Sequence, residues 1–226
     1  MDLTLFHVIN GLQRPWLDML AMTADRMNLL KGGISVAALW YFWYRRDRQG
    51  DHRRVIIATV VGIVLAIFLS RFLAAALPFR SRPLYTPDIG YRPPAISLTF
   101  NAEDWSSFPS DHMAMWLAIA YGIWSLSRLA GVIAILYTMV WIGLVRVYLG
   151  IHYPSDLAAG AAIGWLCGWT ALRLPLAPLT EPLLKIEQRF PSVFYPMMFL
   201  LSYEIANIFD DARIVMHGLH LIGHHA

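Results

Sequence analysis

Apolar runs separated by short charged or proline-containing stretches set the pattern of this chain. Five of them approach the roughly 17 to 25 residues with which a helix crosses a bilayer. They cover 28–44, 55–77, 112–126, 130–148 and 155–172, the third being short and taking length from its flanks. In the fifth, Gly160 and Gly164 beside Ala158 and Ala159 suit the close helix packing that stands in for a hydrophobic drive inside lipid. Stretch 3–24 is apolar too, but Gly11-Leu12-Gln13-Arg14-Pro15 interrupts it. Proline breaks a helix interior, so residues 1–27 read as two short interfacial helices. Residues 197–213 are apolar on most sides yet carry Glu204, Asn207, Asp210 and Asp211. That predicts a surface-lying amphipathic helix in a C-terminal segment 190–226, and leaves room for a sixth span. With no internal repeat or linker, the expected architecture is an all-α integral membrane helical bundle of five transmembrane helices. It forms one domain over 1–226, with its core at 55–173.

Composition agrees with this reading. Hydrophobic residues make up 58% of the 226 positions and the formal charge is only +3, too apolar for an ordinary soluble domain and too sparsely basic for nucleic-acid binding. Lys31 and Lys185 are the only lysines, and arginine supplies the rest of the positive charge. Its planar fork matches phosphate oxygens. The single cysteine, Cys167, gives neither a disulfide framework nor a multi-cysteine metal site. No basic stretch followed by an apolar core opens the chain, so a removable signal peptide is not expected.

Orientation follows from loop 45–54. Its arginines Arg45, Arg46, Arg48, Arg53 and Arg54 mark it cytoplasmic under the positive-inside rule. Alternation then puts 78–108 and 150–154 outside, and Arg128, Arg173, Lys185 and Arg189 inside. Arg26 and Lys31 run slightly against the rule, as do Arg80, Arg82 and Arg92, which an outer anion site explains. Trp40, Tyr41, Trp43 and Tyr44 fit an interfacial aromatic belt.

Three polar strings reach that outer face: Arg80-Ser81-Arg82-Pro83, Pro109-Ser110-Asp111-His112, and Arg146 with His152 and Asp156. Ser110 precedes a predicted helix, where it caps the first turn while free N–H groups and the helix dipole offer an anion seat. His112 falls in that first turn. Arg146 ends one span, His152 follows a short turn, and Asp156 starts the next helix within reach of His152. A carboxylate bonded to one ring nitrogen fixes the tautomer and frees the other for attack or proton transfer. Arg80 and Arg82, two apart in an extended segment, point to one side and can share one phosphoryl group. Arg71 lies in the last turns of the second span, where it either snorkels outward or joins the site.

Together the strings resemble the type-2 phosphatidic acid phosphatase superfamily. Its pattern runs from a lysine, six residues and Arg-Pro, through Pro-Ser-Gly-His, to Ser-Arg, five residues, histidine, three residues and aspartate. The resemblance covers 71–160 and implies metal-independent hydrolysis of a lipid phosphate, with no cofactor. It implies His152 as the nucleophile that forms a phosphohistidine, Asp156 as its orienting partner, and His112 as the acid that protonates the leaving oxygen and later activates water. Arg82, Arg146 and Ser110 are implied to hold the phosphoryl oxygens. This chain departs from the pattern at three positions: Ala75 stands where the lysine falls, Asp111 replaces glycine, and Val145 replaces serine. Arg71, one helical turn before Ala75, is the candidate substitute for the lysine.

The layout looks most like the bacterial undecaprenyl-diphosphatase branch. This implies an enzyme of the bacterial inner membrane, its site facing the periplasm or exterior, that removes one phosphate from a polyprenyl diphosphate. Alternatives are a phosphatidate or phosphatidylglycerol phosphate phosphatase, a lipid phosphotransferase, and a non-catalytic head-group binding or transport protein. Glu103 and Asp104 read as loop solvation. His217, His220, His224 and His225 read as a polar terminus rather than a metal site. Nothing in the pattern sets an oligomeric state.

Overall fold

The computed structural model describes residues 2–45, 51–94 and 103–207, and among these every regular element is helical. The N-terminal stretch forms α1 (Asp2–Asn10) and α2 (Pro15–Arg26), parted at residues 11–14, with Pro15 in the first turn of α2. Proline is tolerated there because the N–H it lacks has no helical partner. A π turn, Leu29–Gly33, leads into α3 (Ile34–Tyr44). Then come α4 (Asp51–Ala76), α5 (Asp111–Leu126) and α6 (Arg128–Tyr137). A second π turn, Thr138–Leu144, carries α6 without a break into α7 (Val145–Tyr148). The chain closes with α8 (Pro154–Ala171), α9 (Ala177–Arg189) and α10 (Pro191–Ala206).

Two stretches, His52–Ala76 and Arg128–Tyr148, are long and apolar enough to cross a membrane by length and composition. The other three predicted runs form α3, α5 and α8, which are shorter at 11, 16 and 18 residues. Helix α5 is the axis of the bundle, packed by α4, α8 and α6. It is apolar on all sides, the mark of a helix surrounded by protein. Every side chain from Met113 to Ala120 is buried, with Trp116 wholly so.

At one end of the bundle, Arg53 Nη1 donates to Glu187 Oε2 at 2.8 Å and Tyr195 Oη donates to Glu187 Oε1 at 2.7 Å, tying α4, α9 and α10 together. Helix α10 differs from the expected surface-lying helix at 197–213. It starts six residues earlier, because Pro191 opens it, and it lies along α3. The Phe194 ring stacks 5.8 Å from Trp43, and Trp40 Nε1 donates to Ser202 Oγ at 2.9 Å. Asp210, Asp211 and the four C-terminal histidines lie outside the described residues, as do Arg46 and Arg48 of the arginine loop.

At the other end, the last turns of α4, the first of α5, the end of α7 and the start of α8 meet the segments before and after the 3-10 turn Pro83–Tyr85. Helices α1 and α2 pack against α7 there, and α1 also meets α8. The three polar strings therefore share one end of one bundle.

Candidate active site

Ser110 caps α5 as its sequence position predicts, accepting the Met113 N–H at 3.3 Å, and it is fully buried. Its own N–H donates to the Asp156 carbonyl at 3.1 Å, which joins the starts of α5 and α8. That joint needs Gly160. A Cβ there would fall 2.4 Å from the Ser110 carbonyl oxygen, so any larger residue pushes the cap away from α8.

The turn between α7 and α8 is fastened on several sides. The N–H groups of Ile151 and His152 both donate to the Arg146 carbonyl, and Leu84 N–H donates to the Gly150 carbonyl at 2.9 Å. Gly150 has φ 72° and leaves room for the Tyr91 ring, a conformation and a space that favour glycine. His152 is thereby held at 2% exposure. Its Nδ1 lies 2.9 Å from the Ser107 carbonyl oxygen, and Ser107 N–H is in turn fixed to the Arg80 carbonyl at 2.8 Å. With Nδ1 as the donor, Nε2 carries the lone pair, and it faces Arg82 Nη1 at 3.4 Å. Burial, followed by the Arg82 and Arg146 cations, lowers the His152 pKa below 6.5 against the opposing pull of Asp156. The ring is neutral at neutral pH, the form that can attack phosphorus.

Asp156 was expected as the direct partner of that ring, and the structure gives it further duties. Its Oδ2 is 3.6 Å from His152 Nδ1, farther than the Ser107 carbonyl, and it accepts the Tyr153 N–H at 2.8 Å. Its Oδ1 pairs with Arg80 Nη1 at 2.6 Å. Fully buried, the carboxylate closes the first turn of α8 and lends the ring its negative charge through space.

Arg80, expected beside Arg82 at the phosphoryl group, is engaged by a cluster of its own. Its Nη1 also donates to Ser155 Oγ at 2.7 Å, its Nη2 reaches Asp2 Oδ2 at 2.6 Å, and its guanidinium covers the Tyr153 ring at 4.1 Å. Asp2 further accepts from the Ser155 N–H and hydroxyl. Arg71 likewise points elsewhere: its Nη2 meets Asp111 Oδ2 at 2.5 Å, and its guanidinium lies over Trp105 at 4.5 Å. Asp111 in turn meets His112, with Oδ1 2.7 Å from Nδ1.

Arg82 faces His152, and the charge of Arg146 also acts on that ring. Arg82 Nη1 donates to the Ile151 carbonyl at 3.1 Å. Burial and then the Arg146 charge lower its pKa to about 10, so it stays charged at neutral pH. Arg146 is 4% exposed, with Asp25 of α2 at 3.5 Å from Nη2. Two buried guanidinium groups that repel one another, beside an unprotonated ring nitrogen, form a cradle that an anion relieves.

Four contributors were not foreseen. Ser107 acts through its backbone, which no side-chain motif reveals. Asp2 and Asp25 lie in the N-terminal helices, where nothing local marks a partner more than a hundred residues away. Ser155, one residue before Asp156 in the first turn of α8, joins the Arg80 cluster.

The PAP2 superfamily model matches residues 78–178, which hold all the strings just described. The "Bacitracin transport permease protein BcrC" of Bacillus licheniformis is 29% identical over 157 residues, 67% of this chain and 73% of that protein. The "Putative undecaprenyl-diphosphatase YbjG" of Escherichia coli is 27% identical over 74% of this chain and 78% of that protein. The "Lipid A 1-diphosphate synthase" of Escherichia coli is 28% identical over 71% of this chain and 66% of that protein. The crystal structure of Aquifex aeolicus LpxE superposes with a TM-score of 0.58 at 27% identity, covering 76% of this chain and 95% of that one. Residues 78–178 place the chain's core in the PAP2 superfamily of membrane lipid phosphatases, enzymes that act without a metal ion.

Proposed function

We propose that this protein hydrolyses a polyprenyl diphosphate, undecaprenyl diphosphate to the monophosphate and inorganic phosphate, through a phosphohistidine on His152. The observation that carries the reading is the His152 ring, with Nδ1 held by the Ser107 carbonyl and Nε2 turned to Arg82. Nε2 attacks the terminal phosphorus while Arg82, Arg146 and the Ser110 hydroxyl hold its oxygens. The bond to the bridging oxygen breaks, and His112 gives that oxygen its proton as the lipid monophosphate leaves. His112 then takes a proton from water, whose oxygen attacks the phosphohistidine. Phosphate departs and His152 is restored.

Five transmembrane helices, α3, α4, α5, α6 with α7, and α8, are the arrangement this reading adopts. Helix α10, lying along α3, is the candidate for a sixth. The arginine bias of 45–54 supports a site facing the periplasm or exterior of a bacterial inner membrane. The undecaprenyl-diphosphatase relative supports the lipid class. A second reading, transfer of the phosphoryl group to another lipid or its removal from a glycolipid, is favoured by the relative named as a lipid A 1-diphosphate synthase. One relative carries a transport name, but the family membership and the His112–His152 pair weigh for an enzyme over a head-group carrier.

Purified protein in detergent, without added divalent metal, is expected to release phosphate faster from undecaprenyl diphosphate than from diphosphorylated lipid A, phosphatidylglycerol phosphate or phosphatidate. Preference for one of the others overturns the lipid assignment. With labelled substrate and a lipid acceptor, mass spectrometry that finds the label on lipid rather than as inorganic phosphate favours transfer.

A further inference from the structure

We infer that Asp111 and Arg71 are positioning residues for His112, a relay in which the carboxylate holds the ring that carries the leaving-group proton and the guanidinium holds the carboxylate. The inference rests on the phosphatase reading above. Asp111 Oδ1 lies 2.7 Å from His112 Nδ1 and also accepts the His112 backbone N–H at 2.8 Å, so one oxygen fixes both ring and main chain. With Nδ1–H committed to Asp111, Nε2 is the ring atom left to give a proton and take one back. The other carboxylate oxygen is taken by Arg71 at 2.5 Å, and Arg71 is steadied by the Trp105 face.

This arrangement explains how an aspartate can stand at an anion seat. A bare carboxylate in the first turn of α5 would repel the phosphate, whereas the Arg71 charge offsets it and leaves its attraction for the ring at short range. Arg146 from α7 and Lys31 from the π turn before α3 bring positive charge to the same ring. Asp111 is the negative charge in direct contact with the ring and opposes them there. Arg71 thus serves the acid rather than the phosphate, although it lies one turn from the position of the absent lysine.

The test uses the full-length protein in detergent and two readouts. In the first, Asp111→Asn is expected to lower kcat/KM about a hundredfold on phenyl phosphate, whose leaving oxygen needs a proton, and less than about threefold on dinitrophenyl phosphate, whose leaving oxygen does not; kcat/KM reports only the steps up to the phosphohistidine, before His112 acts on water. Arg71→Gln leaves the carboxylate uncompensated and raises KM on both esters, and adding Asp111→Asn to it restores KM without restoring kcat on phenyl phosphate. The second readout needs no turnover: nitrogen NMR of labelled histidine shows His112, assigned with His112→Asn, protonated at Nδ1 in the native protein and redistributed between tautomers in Asp111→Asn. Equal kcat/KM losses on the two esters, or a His112 signal unchanged by Asp111→Asn, overturn the relay. A native protein with the tautomer shift that turns over no lipid phosphate or aryl ester instead overturns the phosphatase reading alone.

Discussion

Arg80 Nη1 and Asp156 Oδ1 lie 2.6 Å apart across 76 residues of chain, and the other end of the same guanidinium grips Asp2. One arginine therefore joins the N-terminal helix, the segment leading to Arg82 and the first turn of α8 behind His152. Its partner Arg82, two residues on, faces the ring itself.

The two arginines are expected to fail differently when removed. Arg80→Ala strands the buried Asp156 carboxylate and lowers stability by on the order of 2 kcal/mol, less than a fully buried pair because Arg80 is partly exposed. Its activity falls with the folded fraction. Arg82→Ala keeps its melting temperature within a few degrees and loses at least about a hundredfold in turnover. Thermal unfolding and phosphate release on the same samples check both, and an Arg80→Ala protein of native stability contradicts the structural role.

Asp25 reaches Arg146 from α2 at 3.5 Å. Replacing it with asparagine removes the charge that orients the guanidinium, so KM is expected to rise several-fold, with a smaller change in kcat. Steady-state kinetics decide this. An unchanged KM would show that Arg146 is held by the helix ends alone.

The pH dependence has a definite sign. Because His152 is held below its ordinary 6.5 by burial and the two cations, its neutral attacking form persists below that pH. The acid limb of kcat/KM that reports this ring is expected below pH 6.5, with activity lost as pH falls through the folded value. Stability runs the same way: it is fully present above the unfolded value and declines as pH drops toward the folded one, since the unfolded chain takes the proton first. Arg82→Gln removes one cation and moves the limb upward. A native limb above pH 6.5 contradicts this account.

Gly160 lies under the Ser110 carbonyl, where a Cβ would come within 2.4 Å. Gly160→Leu is expected to separate α5 from α8, costing about 1–3 kcal/mol or more. Melting temperature and activity should fall together. A fully active, equally stable variant would mean that the two helix starts can part without harm to the site.

Much of this layout is legible in the sequence because its causes are local. Ser110 caps because it precedes an apolar run, and the spacing from Arg146 to Asp156 is that of a helix end, a tight turn and a helix start. The π turns at 29–33 and 138–144 are not legible, since their apolar residues continue the helical pattern on either side. Nor are the partners of Arg71 and Arg80. Sequence spacing placed both arginines near a phosphate, but it could not show that Asp111 and Asp156 would reach them first. The roles of Asp2 and Asp25 arise only when α1 and α2 fold back onto the end of the bundle that holds the site.

The central claim is that His152 carries the phosphoryl group. Rapid acid-free quenching of native protein during turnover of terminally labelled undecaprenyl diphosphate, followed by peptide mapping, tests it directly. The account predicts a base-stable, acid-labile label on the peptide containing His152, and a folded His152→Ala protein with neither label nor turnover. Full turnover by folded His152→Ala, or a label on another residue, contradicts it.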